Sequence, residues 1–181
     1  MARTIIVGDG PGGLSAGLFL AKAGEDVTIY GQDATVMHYA HLRNYLGVPD
    51  VSGSELQRIG RSQVTGFGGG IVEAEVTSVA VDDDEISVGL ADGSTHAGDY
   101  LIMSEGRSPD LARTLGLEEV GGAIVVDREG RASNDRVYVV GRSARPERSQ
   151  AIISAGAGAV AAIDIISRER GADHQDWDKA G

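Results

Sequence analysis

The feature that most constrains this chain is a glycine-rich run that directly follows a short β-branched segment near the N-terminus. Residues 4–7 (Thr-Ile-Ile-Val) predict a buried strand. The run after them reads Gly8-Asp9-Gly10-Pro11-Gly12-Gly13. A helical pattern follows and ends near Gly24, and residues 27–30 predict a second strand. Strand, glycine turn, helix and strand form a βαβ unit, so the sequence predicts a Rossmann-like α/β fold.

The spacing of these glycines matches the pattern Gly-x-Gly-x-x-Gly, which is typical of dinucleotide binding. Gly8 permits the tight turn, Gly10 lets the backbone approach a diphosphate, and Gly13 lets the helix pack on the sheet. The N-terminus of that helix presents free N–H groups and partial positive charge to the phosphates. Asp33 follows Gly13 at about the distance where an acid holds the ribose hydroxyls. The alternative is a glycine turn that serves packing alone.

The remaining pattern predicts a parallel sheet with helices and a small antiparallel β meander. A helix is predicted over residues 56–65, with its start near Ser52. Residues 76–90 alternate enough for two antiparallel strands with a turn at residues 82–84, and Asp92-Gly93 predicts another hairpin turn. Buried strands are further predicted at residues 71–74, 99–103, 123–126 and 137–140.

One long helix closes the chain, from Gln150 to about Arg168. A seam of small residues is predicted on this helix, so another element must pack very close to it. The seam consists of Ala151, Ala155, Ala159 and Ile163. No stretch approaches the length of apolar sequence that a membrane span requires. The predicted domains are therefore a dinucleotide-binding domain at residues 1–170 and an acidic C-terminal tail at residues 171–181.

The composition excludes several kinds of chemistry. The 181 residues contain no cysteine, which excludes disulfides, thiolate metal sites and Cys nucleophiles within this sequence. The net charge is −11, which argues against nucleic acid as a partner. Fourteen of the sixteen basic residues are arginine, and acidity with scarce lysine predicts a halophilic protein. Ordinary acidity with an arginine-rich composition is the alternative. No secretory leader is visible, so a cytoplasmic location is expected.

Other charged clusters give weaker signals. His38 and His41 lack an acid partner at ligand spacing, and the three aspartates at residues 82–84 lack the spacing of a calcium loop, so no metal site is predicted. No side chain stands out as a catalytic acid, base or nucleophile. Arg142, Arg145 and Arg148 form a basic cluster that is either an anion site or solvated.

Several separate segments together resemble the flavin-binding half of the thioredoxin reductase family. Residues 5–13 match its opening, and residues 43–47 (Arg-Asn-Tyr-Leu-Gly) resemble its Glu-Asn-Phe-Pro-Gly. Residues 104–106 (Ser-Glu-Gly) stand where the family has Ala-Thr-Gly, and residues 106–110 (Gly-Arg-Ser-Pro-Asp) resemble its Gly-His-Ser-Pro-Asn. Residues 137–162 resemble the closing strand and helix. The resemblance implies an FAD-binding domain.

The resemblance also implies where the cofactor lies. Asn44 would be near the flavin, and the N–H groups of Gln150, Ala151 and Ile152 would face the negative charge of the reduced isoalloxazine. A plain packed helix capped by Ser149 is the alternative. The predicted cofactor-binding residues are Gly8, Asp9, Gly10, Pro11, Gly12, Gly13, Asp33, Asn44, Val76, Gly106, Gly141, Arg142, Gln150, Ala151 and Ile152.

The chain departs from the family pattern in ways that change the expected chemistry. The two family junctions are fused around Gly106, which implies that the inserted nicotinamide-binding domain, with its redox CxxC, is missing. Arg142 replaces an Asp that contacts the flavin ribitol in the family. A guanidinium cannot accept a hydrogen bond from a ribitol hydroxyl, although it can bind a phosphate. The family's Gly-Gly-Gln stretch is not recognisable in residues 31–40.

These observations predict an FAD-binding, single-domain oxidoreductase or electron-transfer protein. Its reductant would come from outside the chain, as NAD(P)H or a separate redox protein, and a homodimer would cover surface that the missing domain exposes. The alternative is a non-catalytic module or sensor that binds an adenine nucleotide or dinucleotide. A third hypothesis, an NAD(P)-dependent enzyme, is disfavoured by the flavoprotein-like closing segment.

Overall fold

The computed structural model describes residues 1–82 and 85–178. The strands are β1 (Arg3–Val7), β2 (Asp26–Gly31), β3 (His41–Leu42), β4 (Val51–Ser52), β5 (Gly70–Glu73), β6 (Val76–Val81), β7 (Ile86–Leu90), β8 (Thr95–Gly98), β9 (Tyr100–Met103), β10 (Glu119–Val120), β11 (Ala123–Ile124) and β12 (Val137–Val139). The α-helices are α1 (Pro11–Lys22), α2 (Gly53–Gly66), α3 (Asp110–Thr114) and α4 (Ala151–Arg170).

A five-stranded parallel sheet lies at the centre of the fold, in the order β12-β9-β1-β2-β5. Ile6 of β1 lies opposite Ile29 of β2 and Ile102 of β9, and all three are fully buried. Continuous apolar strands of this kind are typical of parallel sheets that are covered on both faces. The predicted Rossmann-like α/β fold with a parallel sheet and helices is confirmed.

The alternation of side chains along β1 separates two apolar cores. Ile6 faces a core that it shares with helices α1 and α4, including Leu20 and Ile165. Ile5 and Val7 face the other side of the sheet, where Val88 of the antiparallel meander packs. Full burial of each such side chain stabilises the fold by about 1.5–3 kcal/mol. The glycine loop therefore emerges from a strand that is fixed on both faces.

Helices α1 and α4 pack unusually close together, although the contact uses a different face of α4 from the predicted seam. Ala151, Ala155, Ala159 and Ile163 are only half-buried. The buried face instead contains Ser154, Gly158, Ala161, Ala162, Ile165 and Ile166. A Cβ atom at Gly158 would lie 2.0 Å from the carbonyl oxygen of Gly12, so only glycine allows this approach. The predicted close packing is present, and the helix is rotated to direct Gly158 at α1.

The antiparallel meander forms as predicted. β6, β7 and β8 pair in sequence, and Gly93 takes the left-handed conformation (φ +87°) in the second turn. The first turn was predicted at residues 82–84, of which residues 83 and 84 lie outside the described part of the chain. The strand predicted at residues 123–126 is wrong in extent and placement. Only Ala123–Ile124 is a strand, and it pairs with β10 in a separate two-stranded ribbon. The Val125 N–H donates to the Glu118 carbonyl oxygen at the end of this ribbon.

The described part of the acidic tail lies back along the domain. Helix α4 ends at Gly171, which is left-handed (φ +66°). Lys22 Nζ lies 2.9 Å from Asp176 Oδ1 and 2.7 Å from Asp178 Oδ2. These ion pairs hold residues of the tail against the C-terminal end of α1.

Helix α4 is long and apolar enough to cross a membrane by length and composition alone. The expectation that no stretch approaches that length was therefore wrong. In this fold α4 packs along α1, with Ala161 and Ile165 in the core between the helices and the sheet.

Candidate cofactor-binding site

A cavity of about 520 Å³ opens at the carboxyl ends of the central parallel strands. Its wall includes Gly8 after β1, Gly31 at the end of β2, Ser104 after β9 and Gly141 after β12. β1 lies between β2 and β9 in the sheet. The chain passes from β1 to β2 on one side of β1, and β9 later pairs with β1 on the other side. This is the topological switch point at which open α/β sheets bind ligands. The volume is within the usual range for small-molecule sites.

The glycine loop has the geometry that its spacing predicts. Gly8 is left-handed (φ +99°), and a Cβ there would lie 2.3 Å from the carbonyl oxygen of Ser104. A Cβ at Gly13 would lie 2.0 Å from the Gly8 carbonyl oxygen, and the Gly13 N–H donates to Ser104 Oγ at 3.1 Å. A Cβ at Gly10 would have only Thr35 Oγ1 nearby, at 3.7 Å. Gly8 and Gly13 are thus required for packing, whereas Gly10 faces open space.

The N-terminus of α1 can take part in binding an anion. Its N-cap, Gly10, supplies no capping side chain, and the first turn contains no acidic residue. Pro11 has no N–H and the Gly13 N–H donates to Ser104 Oγ, which leaves the N–H groups of Gly10 and Gly12 to bind an anion. They lie at the cavity, which Pro11 and Gly12 line.

A second wall of the cavity comes from the closing segment. Gly141 is left-handed (φ +69°) and turns the chain after β12, which directs Arg142 into the lining. In the described chain the Arg142 side chain has no hydrogen bond or ion pair. An arginine without a carboxylate partner remains able to bind an anion. Ala151, the first residue of α4, also lines the cavity.

The cavity brings together most of the predicted cofactor-binding residues. Those in its lining are Gly8, Asp9, Gly10, Pro11, Gly12, Val76, Gly106, Gly141, Arg142 and Ala151. Five predicted residues lie outside the lining: Gly13, Asp33, Asn44, Gln150 and Ile152. Gly13 serves packing, as its position in the motif requires. The binding roles of the other four stay predictions.

Asp33 and Asn44 make contacts within the protein instead of lining the cavity. Asp33 is the single described non-glycine residue with a left-handed backbone (φ 53°), and its Oδ1 lies 3.1 Å from His38 Nε2. Asn44 Nδ2 donates to Gln150 Oε1 at 3.1 Å, which connects the loop before β4 to the start of α4. The N-cap of α4 is Gln150, which supplies no side-chain cap, whereas the alternative interpretation placed Ser149 as the cap.

Glu105 is a cavity residue that the predicted set omits. It follows β9 directly, and its carboxylate accepts hydrogen bonds from the N–H groups of Leu111 (2.8 Å) and Ala112 (3.0 Å) in α3. Burial raises the pKa of Glu105, and these two hydrogen bonds oppose that shift. The signal available in the sequence was its position at the carboxyl end of a buried strand, beside the predicted Gly106.

Arg61 is a second omitted residue, and it acts on the glycine loop from α2. Its Nη1 forms an ion pair with the buried carboxylate of Asp9, and its Nη2 donates to Glu73 Oε1 at 2.9 Å. No local motif marks an arginine in the middle of an amphipathic helix as a partner of a loop more than forty residues away. Among the described residues, no group of three or more His, Asp or Glu side chains could hold a metal ion.

The fold and the cavity define the class of this chain as a Rossmann-like α/β domain with a cavity at the carboxyl ends of its parallel strands, and comparison with known proteins shows what it is similar to. Residues 70–159 match the family described as pyridine nucleotide-disulphide oxidoreductase. A thioredoxin reductase of Aquifex aeolicus (strain VF5) is 32% identical over 119 residues, which cover 64% of this chain and 37% of the relative. The chain thus spans little more than a third of the curated relative that it matches.

Solved structures show the same fold. A thioredoxin reductase from Gloeobacter violaceus superposes with a TM-score of 0.87 at 16% identity, covering 98% of this chain and 99% of that one. A ferredoxin-flavin thioredoxin reductase from Clostridium acetobutylicum gives a TM-score of 0.81 at 17% identity, with 94% and 98% covered. These matches confirm the predicted resemblance to thioredoxin reductases in sequence and in fold.

Proposed function

We propose that this chain binds FAD in the cavity at the carboxyl ends of the parallel strands and acts in electron transfer. The family match and the thioredoxin reductase relative support an oxidoreductase role with a flavin. When bound, the flavin supplies the redox chemistry, and the protein supplies binding and electrostatics. The sequence contains no cysteine, so its own side chains cannot carry out thiol–disulfide exchange.

One observation carries the proposal. The N-terminus of α1, which has no capping side chain from Gly10 and no acidic residue in its first turn, lines the same cavity as Arg142, whose side chain has no partner among the described residues. Both favour a negatively charged group between them. The diphosphate of a dinucleotide fits this arrangement, because Gly10 leaves the space that an anion would fill. The Arg142 substitution is therefore compatible with FAD, with the guanidinium toward a phosphate instead of a ribitol hydroxyl.

The electron donor is part of the same proposal. Fusion of the two family junctions around Gly106 favours a donor from outside this sequence, either NAD(P)H or a redox protein. The Clostridium acetobutylicum structure is named as a ferredoxin-flavin thioredoxin reductase, which supports an iron–sulfur protein as one such donor.

The experiment begins with the visible spectrum of the purified chain, followed by heat release and identification of the ligand. We expect flavin absorption bands and FAD in the supernatant. Anaerobic mixing with NADH, NADPH or reduced ferredoxin then tests the donors, since reduction bleaches the flavin bands. A colourless protein that fails to take up added FAD would exclude this function.

A second function, a non-catalytic module or sensor for an adenine nucleotide, is favoured by Arg142 in place of the family's Asp and by the absence of cysteine. It predicts a colourless protein whose melting temperature rises with ADP or NAD. A flavin spectrum with FAD bleached by a donor would exclude the purely non-catalytic alternative.

A further inference from the structure

The glycine loop contains a buried negative charge at the place where the proposed ligand is negative. Asp9 is the second residue of the motif, between Gly8 and Gly10, and is only 5% exposed. Its carboxylate packs against the backbone of Gly31, where a Cβ would lie 2.4 Å from Asp9 Cγ. A buried carboxylate in a phosphate-binding loop opposes phosphate binding unless another group neutralises it.

Arg61 is the group that neutralises Asp9. Its guanidinium is 19% exposed and forms an ion pair with Asp9 Oδ2. The same carboxylate oxygen accepts the N–H of Asp33 at 3.0 Å, and Gln57 Nε2 donates to the Asp9 carbonyl oxygen. Three segments thus meet at Asp9: the glycine loop, the loop after β2 and helix α2. Glu73, the other partner of Arg61, is mostly exposed and contributes little by comparison.

We propose that Arg61 is a positioning residue of the diphosphate site, which cancels the charge of Asp9 and fixes the glycine loop against the loop after β2. This inference rests on the proposed function, since it assigns Arg61 a role toward the diphosphate of the bound nucleotide. Both loops line the cavity, the first through Gly8–Gly12 and the second through residues 31, 32, 34 and 35. Arg61 itself does not line the cavity, so its effect on the ligand passes through Asp9.

The test measures the dissociation constants of FAD and ADP for the wild-type chain and for Arg61→Gln, Asp9→Asn and the double variant. Arg61→Gln leaves the Asp9 charge uncompensated, so both ligands should bind about tenfold more weakly or worse. Asp9→Asn keeps an oxygen for the Asp33 N–H and removes the charge, so binding should be equal or tighter. The double variant should return to within about threefold of wild type, because no net charge is left in the loop.

Two further variants control the comparison. Glu73→Gln removes only the exposed partner of Arg61 and should leave both dissociation constants unchanged. Arg61→Lys keeps the charge without the forked geometry and should retain most of the binding. Equal losses for FAD and ADP place the effect at the adenosine diphosphate half that the two ligands share, and away from the flavin.

The outcomes separate the inference from the proposed function. Failure of the wild-type chain to bind either ligand would overturn both. Binding by wild type with an unchanged Arg61→Gln would overturn the inference alone, as would a double variant as weak as Arg61→Gln. If Arg61→Gln does not fold, Asp9→Asn decides the matter: tenfold weaker binding by this variant would show that the carboxylate itself favours the ligand.

Discussion

The two walls of the cavity differ in whether their charged side chains are paired within the protein. The wall built from the glycine loop contains a carboxylate, Asp9, that is paired with Arg61 and hydrogen-bonded to the Asp33 N–H. The wall built from the closing segment contains a guanidinium, Arg142, with no partner among the described residues. The negative charge of the first wall is neutralised within the protein, whereas the positive charge of the second wall remains available to a ligand.

The difference shows why a match to a motif does not describe a site. The glycine loop has the expected spacing. Asp9, between its first two glycines, is nevertheless negatively charged, and Arg61 of helix α2 neutralises that charge. The closing segment departs from the family at Arg142, yet the departure provides an unpartnered cation. The net electrostatics of the cavity depend on both walls and on the contact between α1 and α4 that holds them together.

The largest effect should come from breaking that contact with Gly158→Ala. The new methyl group would lie 2.0 Å from the Gly12 carbonyl oxygen and 3.0 Å from the Ala16 backbone nitrogen, neither of which can move freely. We expect the unfolding free energy to fall by about 3 kcal/mol or more, or the chain not to fold. Chemical denaturation measures the change.

Gly156→Ala is the matched control on the same helix. A Cβ at this exposed position meets no atom within 4 Å, and alanine favours the helix over glycine. The unfolding free energy should rise by up to about 1 kcal/mol. Similar losses for the two variants would contradict the packing assigned to Gly158.

A smaller effect should follow from removing the free charge of the second wall with Arg142→Ala. Loss of one charge-assisted contact to a phosphate should weaken FAD binding by about tenfold while the stability of the free protein changes little. Fluorescence titration with FAD gives the dissociation constant. Arg145→Ala is the control, because Arg145 is exposed and lies outside the cavity lining. Equal affinities for wild type and Arg142→Ala would show that the guanidinium does not face the ligand.

The smallest effect should come from the titration of Glu105, which also lines the cavity. Burial raises the pKa of its carboxyl above the ordinary value of 4.5, so the folded state binds this proton more tightly than the unfolded chain. The resulting stability is present below the unfolded pKa and is lost as pH rises through the folded pKa.

The glutamine side chain in Glu105→Gln cannot ionise, so this variant does not lose stability in this way as pH rises. The unfolding free energy of wild type relative to Glu105→Gln should therefore decrease as pH rises from about 4 to about 7. Denaturation of both proteins across this range provides the measurement. A constant difference between them would show that the folded environment leaves Glu105 unshifted.

The sequence predicted the parts of the fold that local pattern determines. The βαβ unit, the meander and the closing helix all follow from periodicity and turn residues, and they formed where expected. The buried face of α4 was predicted wrongly because alanines and glycines occur all around that helix. Which of them faces inward depends on the partner backbone, and only Gly158 fits against Gly12.

The site was predictable to the extent that it consists of loops at strand ends. Ten predicted residues line the cavity because consecutive βα turns meet at one edge of a parallel sheet. Glu105 and Arg61 were missed because their roles depend on contacts with α3 and with Asp9 that are distant in sequence. Asp33 was assigned by spacing alone, and the structure places its carboxylate beside His38.

The contact of Gly12 with Gly158 joins the first and last parts of the chain, and it has a consequence for the order of folding. In the sequence, Gly12 precedes Gly158 by more than 140 residues, so α4 is synthesised well after the glycine loop. Contacts of such long sequence separation form late, after the intervening loop closes. A nascent chain that lacks α4 would hold an incomplete cavity, so nucleotide capture should coincide with the docking of the final helix.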